Sequence, residues 1–193
     1  MIKVAMKPSD EIEQPGIHPS KFVTWLLIVA SVMLFASLTS AYIVRKGEGN
    51  WLLFDIPNVF AFSVVIAIIG SITMQLAYMM AKKDEIGKLK IFSLLTLIAG
   101  FGFVISQYLG WVALVNNNIH FVGNPSESFF YVISGVHLAH VIGGIIFVGV
   151  ITTNVFRYKV HKKNLLSINL CTTYWHFLGF TWIYLYFFLL LNR

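Results

Sequence analysis

Ser134-Gly135-Val136-His137-Leu138-Ala139-His140-Val141-Ile142-Gly143-Gly144 sets two histidines and several small residues into an otherwise apolar run. The surrounding segment, about 128–155, is long enough to cross a bilayer, which takes roughly 20 apolar residues at 1.5 Å rise each. Ionisable groups are costly in hydrocarbon and mark either function or obligatory packing. A second such signal, Tyr174-Trp175-His176, lies in the next apolar run. The apolar length sets the fold, and the histidines set the functional question.

Four further runs have the same character, at about 22–44, 58–81, 89–115 and 166–191. Only 11% of the 193 residues are charged against 58% hydrophobic, where a soluble domain carries roughly a quarter charged. The charges fall between the runs. The expected fold is therefore an all-α membrane protein, a five-transmembrane-helix bundle over 21–193, preceded by a partly disordered tail over 1–20. That tail lacks the basic start, apolar core and cleavage site of a signal peptide, so it is expected to be retained.

Eleven of the fourteen Lys and Arg residues fall on one side of the bundle: Lys3, Lys7, Lys21, Lys82, Lys83, Lys88, Lys90, Arg157, Lys159, Lys162 and Lys163. Arg45, Lys46 and Arg193 fall on the other. Basic residues collect in cytoplasmic loops, which predicts a cytoplasmic N-terminus and, after five crossings, a C-terminus outside. The same bias accounts for the net charge of +6 without nucleic-acid binding. Cys171 is the single cysteine, so neither a disulfide framework nor a cysteine metal cluster is available.

Small residues recur four apart. Ser63, Ala67 and Ser71 mark the second span; Gly102, Ser106 and Gly110 the third; Gly135, Ala139 and Gly143 the fourth. Such stripes let helix backbones approach closely inside lipid, and they favour a tightly packed bundle. The eight carboxylates, Asp10, Glu11, Glu13, Glu48, Asp55, Asp84, Glu85 and Glu127, all fall in the tail, the loops or the mouth of the fourth span. A proton path through membrane-buried acids is not expected of this chain alone.

His18, His120 and His161 fall in aqueous segments. His137 and His140 are three apart and share a helix face. His176 should lie within roughly 10 Å of the depth of His140, so a contact among His137, His140, Tyr174 and His176 is geometrically open. Three readings compete: neutral imidazoles bonding across helices, haem or metal ligation, and proton transfer or lipid headgroup contact. Packing carries the most weight, because no Cys or carboxylate stands nearby to complete a metal site. The tryptophans lie mostly near span ends, as interfacial rings do. Trp175 and Trp182, seven apart, share one face, but they do not mark a cofactor pocket.

Taken together, Ser134-Gly135-x-His137-x-x-His140-Val141-x-x-Gly144, Tyr174-Trp175-His176-Phe177-x-x-x-x-Trp182, Met33-Leu34-Phe35-Ala36-x-x-x-Ser40-Ala41-Tyr42 and Gln107 resemble subunit III of the haem–copper terminal oxidases, the cytochrome c and quinol oxidases. The similarity runs over nearly the whole chain, in the five-span bacterial form lacking the first two of seven spans. It implies an accessory, non-catalytic subunit of a respiratory oxidase, with no catalytic, cofactor or metal residues of its own. Haem and copper would then sit in partner subunits, with the haem-bearing subunit I beside this chain in a bacterial plasma membrane and with phospholipid as a bound ligand. The family's acidic or polar positions read Ser31, Ser63, Gly110 and Gly179 here, and the glycine between the histidines is Leu138. Those departures favour packing over proton uptake, and they suit a divergent paralogue as well as a main subunit III. Two functions of other classes remain: an independent proton-linked small-molecule transporter and a haem b electron carrier.

Overall fold

The computed structural model describes residues 18–158 and 165–192. Residues 1–17 of the expected tail and His161 lie outside that range. Five helices are present among the described residues: α1 (Pro19–Gly47), α2 (Asn58–Lys82), α3 (Ile86–Asn116), α4 (Pro125–Phe156) and α5 (Leu166–Asn192). All five are long and apolar enough to cross a membrane.

Their ends follow from local chemistry. Helix α1 starts with Pro19 in its first turn, where a missing N–H costs nothing, and the His18 imidazole accepts from Ser20 N at 3.3 Å. Helix α4 opens on a capping box: Ser126 N donates to Asn124 Oδ1 at 3.1 Å, and Asn124 N donates to Glu127 Oε2 at 3.2 Å. Glu127, 5% exposed, is therefore spent on satisfying helix-start N–H groups. The same Asn124 side chain accepts from Leu52 N at 3.2 Å and donates to Asn50 O at 3.0 Å, tying the α1–α2 loop to the mouth of α4. Between α2 and α3, Lys88 pairs with Glu85 at 2.6 Å.

Helices α2, α3, α4 and α5 form a closed ring, each packed against the next and α5 against α2. Helix α1 lies outside it, touching only α4 and α5 among the described helices. Its buried residues, Ile28, Ser31, Phe35, Thr39 and Tyr42, recur every three or four positions as a single stripe. Phe35 meets both His137 (ring centroids 6.0 Å) and His140 (5.3 Å). Near the far end, Tyr42 Oη and Lys46 Nζ donate to Asn192 O at 3.2 and 2.7 Å.

The small residues divide unevenly. Ser63 is buried, and a Cβ at Gly110 would meet the Phe60 ring at 2.6 Å. Gly102 is looser, with Ile66 at 4.0 Å from such a Cβ. Ser106 is 7% exposed and turns back to donate to Phe103 O at 2.7 Å. The α4 stripe does not pack inside the chain. Nothing lies within 4 Å of a Cβ built at Gly135 or Gly143, and Ala139 is exposed. The inward face of α4 is instead Ser134, His137, Val141 and Gly144, about 100° away at one residue's rotation.

Candidate functional site

Inside the ring lies a polar seam that joins helices by hydrogen bonds. Ser63 Oγ on α2 donates to Phe60 O at 2.7 Å. It accepts from Gln107 Nε2 on α3 at 3.1 Å and from Trp182 Nε1 on α5 at 2.8 Å. All three residues are at most 1% exposed. One hydroxyl therefore couples three helices in a medium where no water competes for its bonds. Trp111 Nε1 donates to Ser134 Oγ at 3.1 Å, adding an α3–α4 bond one turn further along. Replacing Ser63 by Ala would strand two buried donors at once. We expect that variant to lose about 1–3 kcal/mol of stability, read as a lower unfolding midpoint in detergent titration. Adding Gln107→Leu and Trp182→Phe should recover part of that loss; an unchanged midpoint in Ser63→Ala would refute the clamp.

The ring of Trp182 links this clamp to the histidines. His137, 1% exposed, stacks on Trp182 with centroids 5.0 Å apart and planes at 19°, and Phe103 meets it edge-on at 5.8 Å. Trp175 fills a slot walled by glycines from three helices. An added Cβ would approach its ring within 3.3 Å at Gly70, 3.0 Å at Gly100 and 3.4 Å at Gly144. Trp175 and Trp182 do share a face, as their spacing predicts, and it is turned into the ring.

The expected four-residue contact is not made. His140 Nδ1 donates to Val136 O of its own helix at 2.8 Å, and Tyr174 Oη reaches His140 O only at 3.5 Å. His176 turns away from both. Its Nδ1 is hydrogen-bonded to Ser71 Oγ on α2, and its Nε2 lies 3.0 Å from Gln75 Oε1. Two positions along a helix rotate a side chain by about 200°. Tyr174 therefore faces α4 while His176 faces α2, and α5 lies between the two. Because Gln75 Oε1 can only accept, His176 Nε2 carries the proton and Nδ1 accepts from the Ser71 hydroxyl. The triad borders an outer groove of about 570 Å³. Among the described residues, no three His, Cys, Asp or Glu side chains come together as a metal-ligand set.

Three features were missed from sequence: the Trp182 hub, the glycine slot, and Gln75 as partner of His176. Gln75 and Gln107 are the glutamines of α2 and α3, and polarity inside a span was a usable signal.

Fold and seam together define a multi-pass helical membrane protein whose interior polar groups serve contacts between helices. No family model matches the chain. Known proteins do resemble it. Quinol oxidase subunit 3 of Bacillus subtilis is 26% identical over 167 residues, 84% of this chain and 81% of that one. Cytochrome c oxidase subunit 3 of Bacillus sp. (strain PS3) is 24% identical over 167 residues, 84% and 80%. Cytochrome bo(3) ubiquinol oxidase subunit 3 of Buchnera aphidicola is 25% identical over 176 residues, 89% and 93%. Along most of both lengths, then, the chain is similar to proteins named subunit 3 of cytochrome c and quinol oxidases.

Proposed function

We propose that the chain is an accessory subunit of a haem–copper respiratory oxidase, of the cytochrome c or quinol type, that supports assembly and stability of the catalytic subunit. The observation that carries this reading is the similarity, over 84–89% of the chain, to proteins named subunit 3 of such oxidases. The packing chemistry of the interior agrees with it: Ser63, Gln107 and Trp182 bond to one another. On this reading haem and copper belong to partner subunits, the neighbour is the haem-bearing subunit I, and lipid fills the outer grooves. The eleven-to-three split of basic residues supports a cytoplasmic N-terminus and an outside C-terminus in a bacterial plasma membrane. The three relatives described above are named as oxidase subunits, which favours this reading over the transporter and the haem b carrier.

Tagged chain isolated from its native membrane should bring down a haem-bearing subunit, while the chain alone should show no haem absorption. Recovery of the chain from its native membrane as a functional protein without partners would overturn the proposal. His176→Leu is expected to weaken retention in the complex by about threefold to thirtyfold, the equivalent of roughly 0.6–2 kcal/mol. Turnover per assembled oxidase should stay near wild type. Normal assembly with a large loss of turnover would point to proton transfer instead.

A further inference from the structure

The bonds among Ser71, His176 and Gln75 fix which end of an amide is left over. Ser71 donates to His176 Nδ1, and His176 Nε2–H donates to Gln75 Oε1 at 3.0 Å. The carbonyl end of Gln75 is thereby used, and its Nε2 has no hydrogen-bond partner among the described residues. The side chain is nonetheless exposed. Gln75 lies on α2 before Lys82, the last residue of that helix, and about 10 Å inward from it along the axis. Two uncommitted N–H donors therefore stand at a depth where no water meets them. An amide left in that position marks something that comes to it.

The groove that Gln75, His176 and Ser71 line has the size and walls of a ligand site. Its volume is about 570 Å³, within the roughly 300–1,000 Å³ of small-molecule pockets, which set a few placed polar groups among apolar walls. Ile68, Ile72 and Leu76 of α2 line it with Phe180 and Ile183 of α5. Phe180 is 73% exposed and brings an aromatic ring to the wall. Gly179 leaves the floor open, since a Cβ there would come no nearer than 3.9 Å to Ala67 O and Ser71 Oγ.

These features select the ligand. A polar group with only donors to offer calls for an acceptor. Among the described residues no Lys, Arg, Asp or Glu lines the groove, so a neutral acceptor is favoured over an anion. Phospholipid esters sit at the border of the hydrocarbon, about two helix turns nearer the surface than Gln75. A carbonyl carried on a lipid-soluble ring reaches that depth. We propose that the groove binds a neutral, lipid-soluble ring ketone, the chemistry of a quinone head on an apolar tail. A ring carbonyl accepts from Gln75 Nε2, and the tail lies between α2 and α5 over Gly179. His176 is a positioning residue, which holds the amide so that it presents its donors. The site does not rest on the oxidase reading, because such a ligand reaches the chain from the membrane itself.

The chain has three glutamines, Gln14, Gln75 and Gln107. Labelling the full chain with ¹⁵N-glutamine in phospholipid nanodiscs therefore gives three side-chain amide signals, and Gln75→Leu identifies the one that matters. Decylubiquinone is expected to shift the Gln75 amide saturably, while decane, a tail without a carbonyl, leaves it in place. His176→Phe lets the amide turn and should raise the half-saturating quinone concentration about threefold to tenfold, as the loss of one intramembrane hydrogen bond does. Gly179→Leu fills the floor and should abolish the shift. A Gln75 amide that quinone does not move in the unsubstituted chain overturns the site. An equal shift with dioleoylglycerol, which brings ester carbonyls without a ring, overturns the ligand class. Unchanged half-saturation in His176→Phe overturns the positioning role. All of these readouts are made on the chain itself, so failure of the oxidase reading leaves them intact.

Discussion

Trp182→Ala is expected to cost roughly 2–4 kcal/mol and to lower the unfolding midpoint of the reconstituted chain more than any other single truncation in α5. The indole is 1% exposed and meets all three other ring helices. It donates to Ser63 on α2, stacks on His137 of α4, and meets Phe103 of α3 at 5.4 Å with planes at 88°. Truncating a buried Trp in a soluble core costs about 3–5 kcal/mol. In lipid the unfolded reference also surrounds the ring with hydrocarbon, so only the packing and hydrogen-bond share of that cost survives. Trp182→Phe separates the two shares. It keeps a ring against His137 and loses the N–H, and it should cost about 1 kcal/mol. Wild-type stability in Trp182→Ala would mean that the ring is held by its backbone and that Trp182 is not the hub.

A single methyl group at Gly110 should also destabilise the bundle. A Cβ there would fall 2.6, 2.8 and 3.0 Å from three atoms of the Phe60 ring. That ring cannot step aside. Phe60 is 0% exposed, with Phe130 edge-on at 5.1 Å and Trp182 behind at 6.4 Å. Gly110→Ala gains about 1 kcal/mol of helix propensity, but overpacking of about 1–3 kcal/mol opposes it, and Gly110→Leu should prevent close α2–α3 packing altogether. The control is Gly143→Ala, which adds the same methyl where nothing lies within 4 Å and should be neutral or slightly stabilising. Equal midpoints for Gly110→Ala and Gly143→Ala would refute the contact. Phe60→Leu in the Gly110→Ala background should restore part of the loss.

The five spans were legible in the sequence because a membrane helix announces itself by composition and length, needing no periodicity. The ends came within a few residues, since Pro19, Pro125 and the clusters around Lys82 and Arg157 bracket the apolar runs. Which side of each helix turns inward was not legible. In soluble proteins an amphipathic stripe gives that answer. Helices α4 and α5 are apolar all round, so Gly143 and Gly144 look alike until the fold chooses between them. The same blindness placed His176 against α4 when it faces α2. The resemblance drew attention to Gln107 and Trp182, but their common partner Ser63 appeared as a small residue in a stripe and as a departure at a polar position, and neither reading shows what its hydroxyl bonds.

The position of α1 outside the ring bears on how the molecule is made. Its partners are α4 and α5, which leave the ribosome after α2 and α3. Helices α2 and α3 can close on each other as a hairpin as soon as both have entered the bilayer. During that time α1 waits beside them with its Phe35 and Tyr42 stripe facing lipid or an insertion factor. The bonds from Tyr42 and Lys46 end on Asn192, which is translated only after α2, α3 and α4. Of the five described helices, the one synthesised first is the one fastened last.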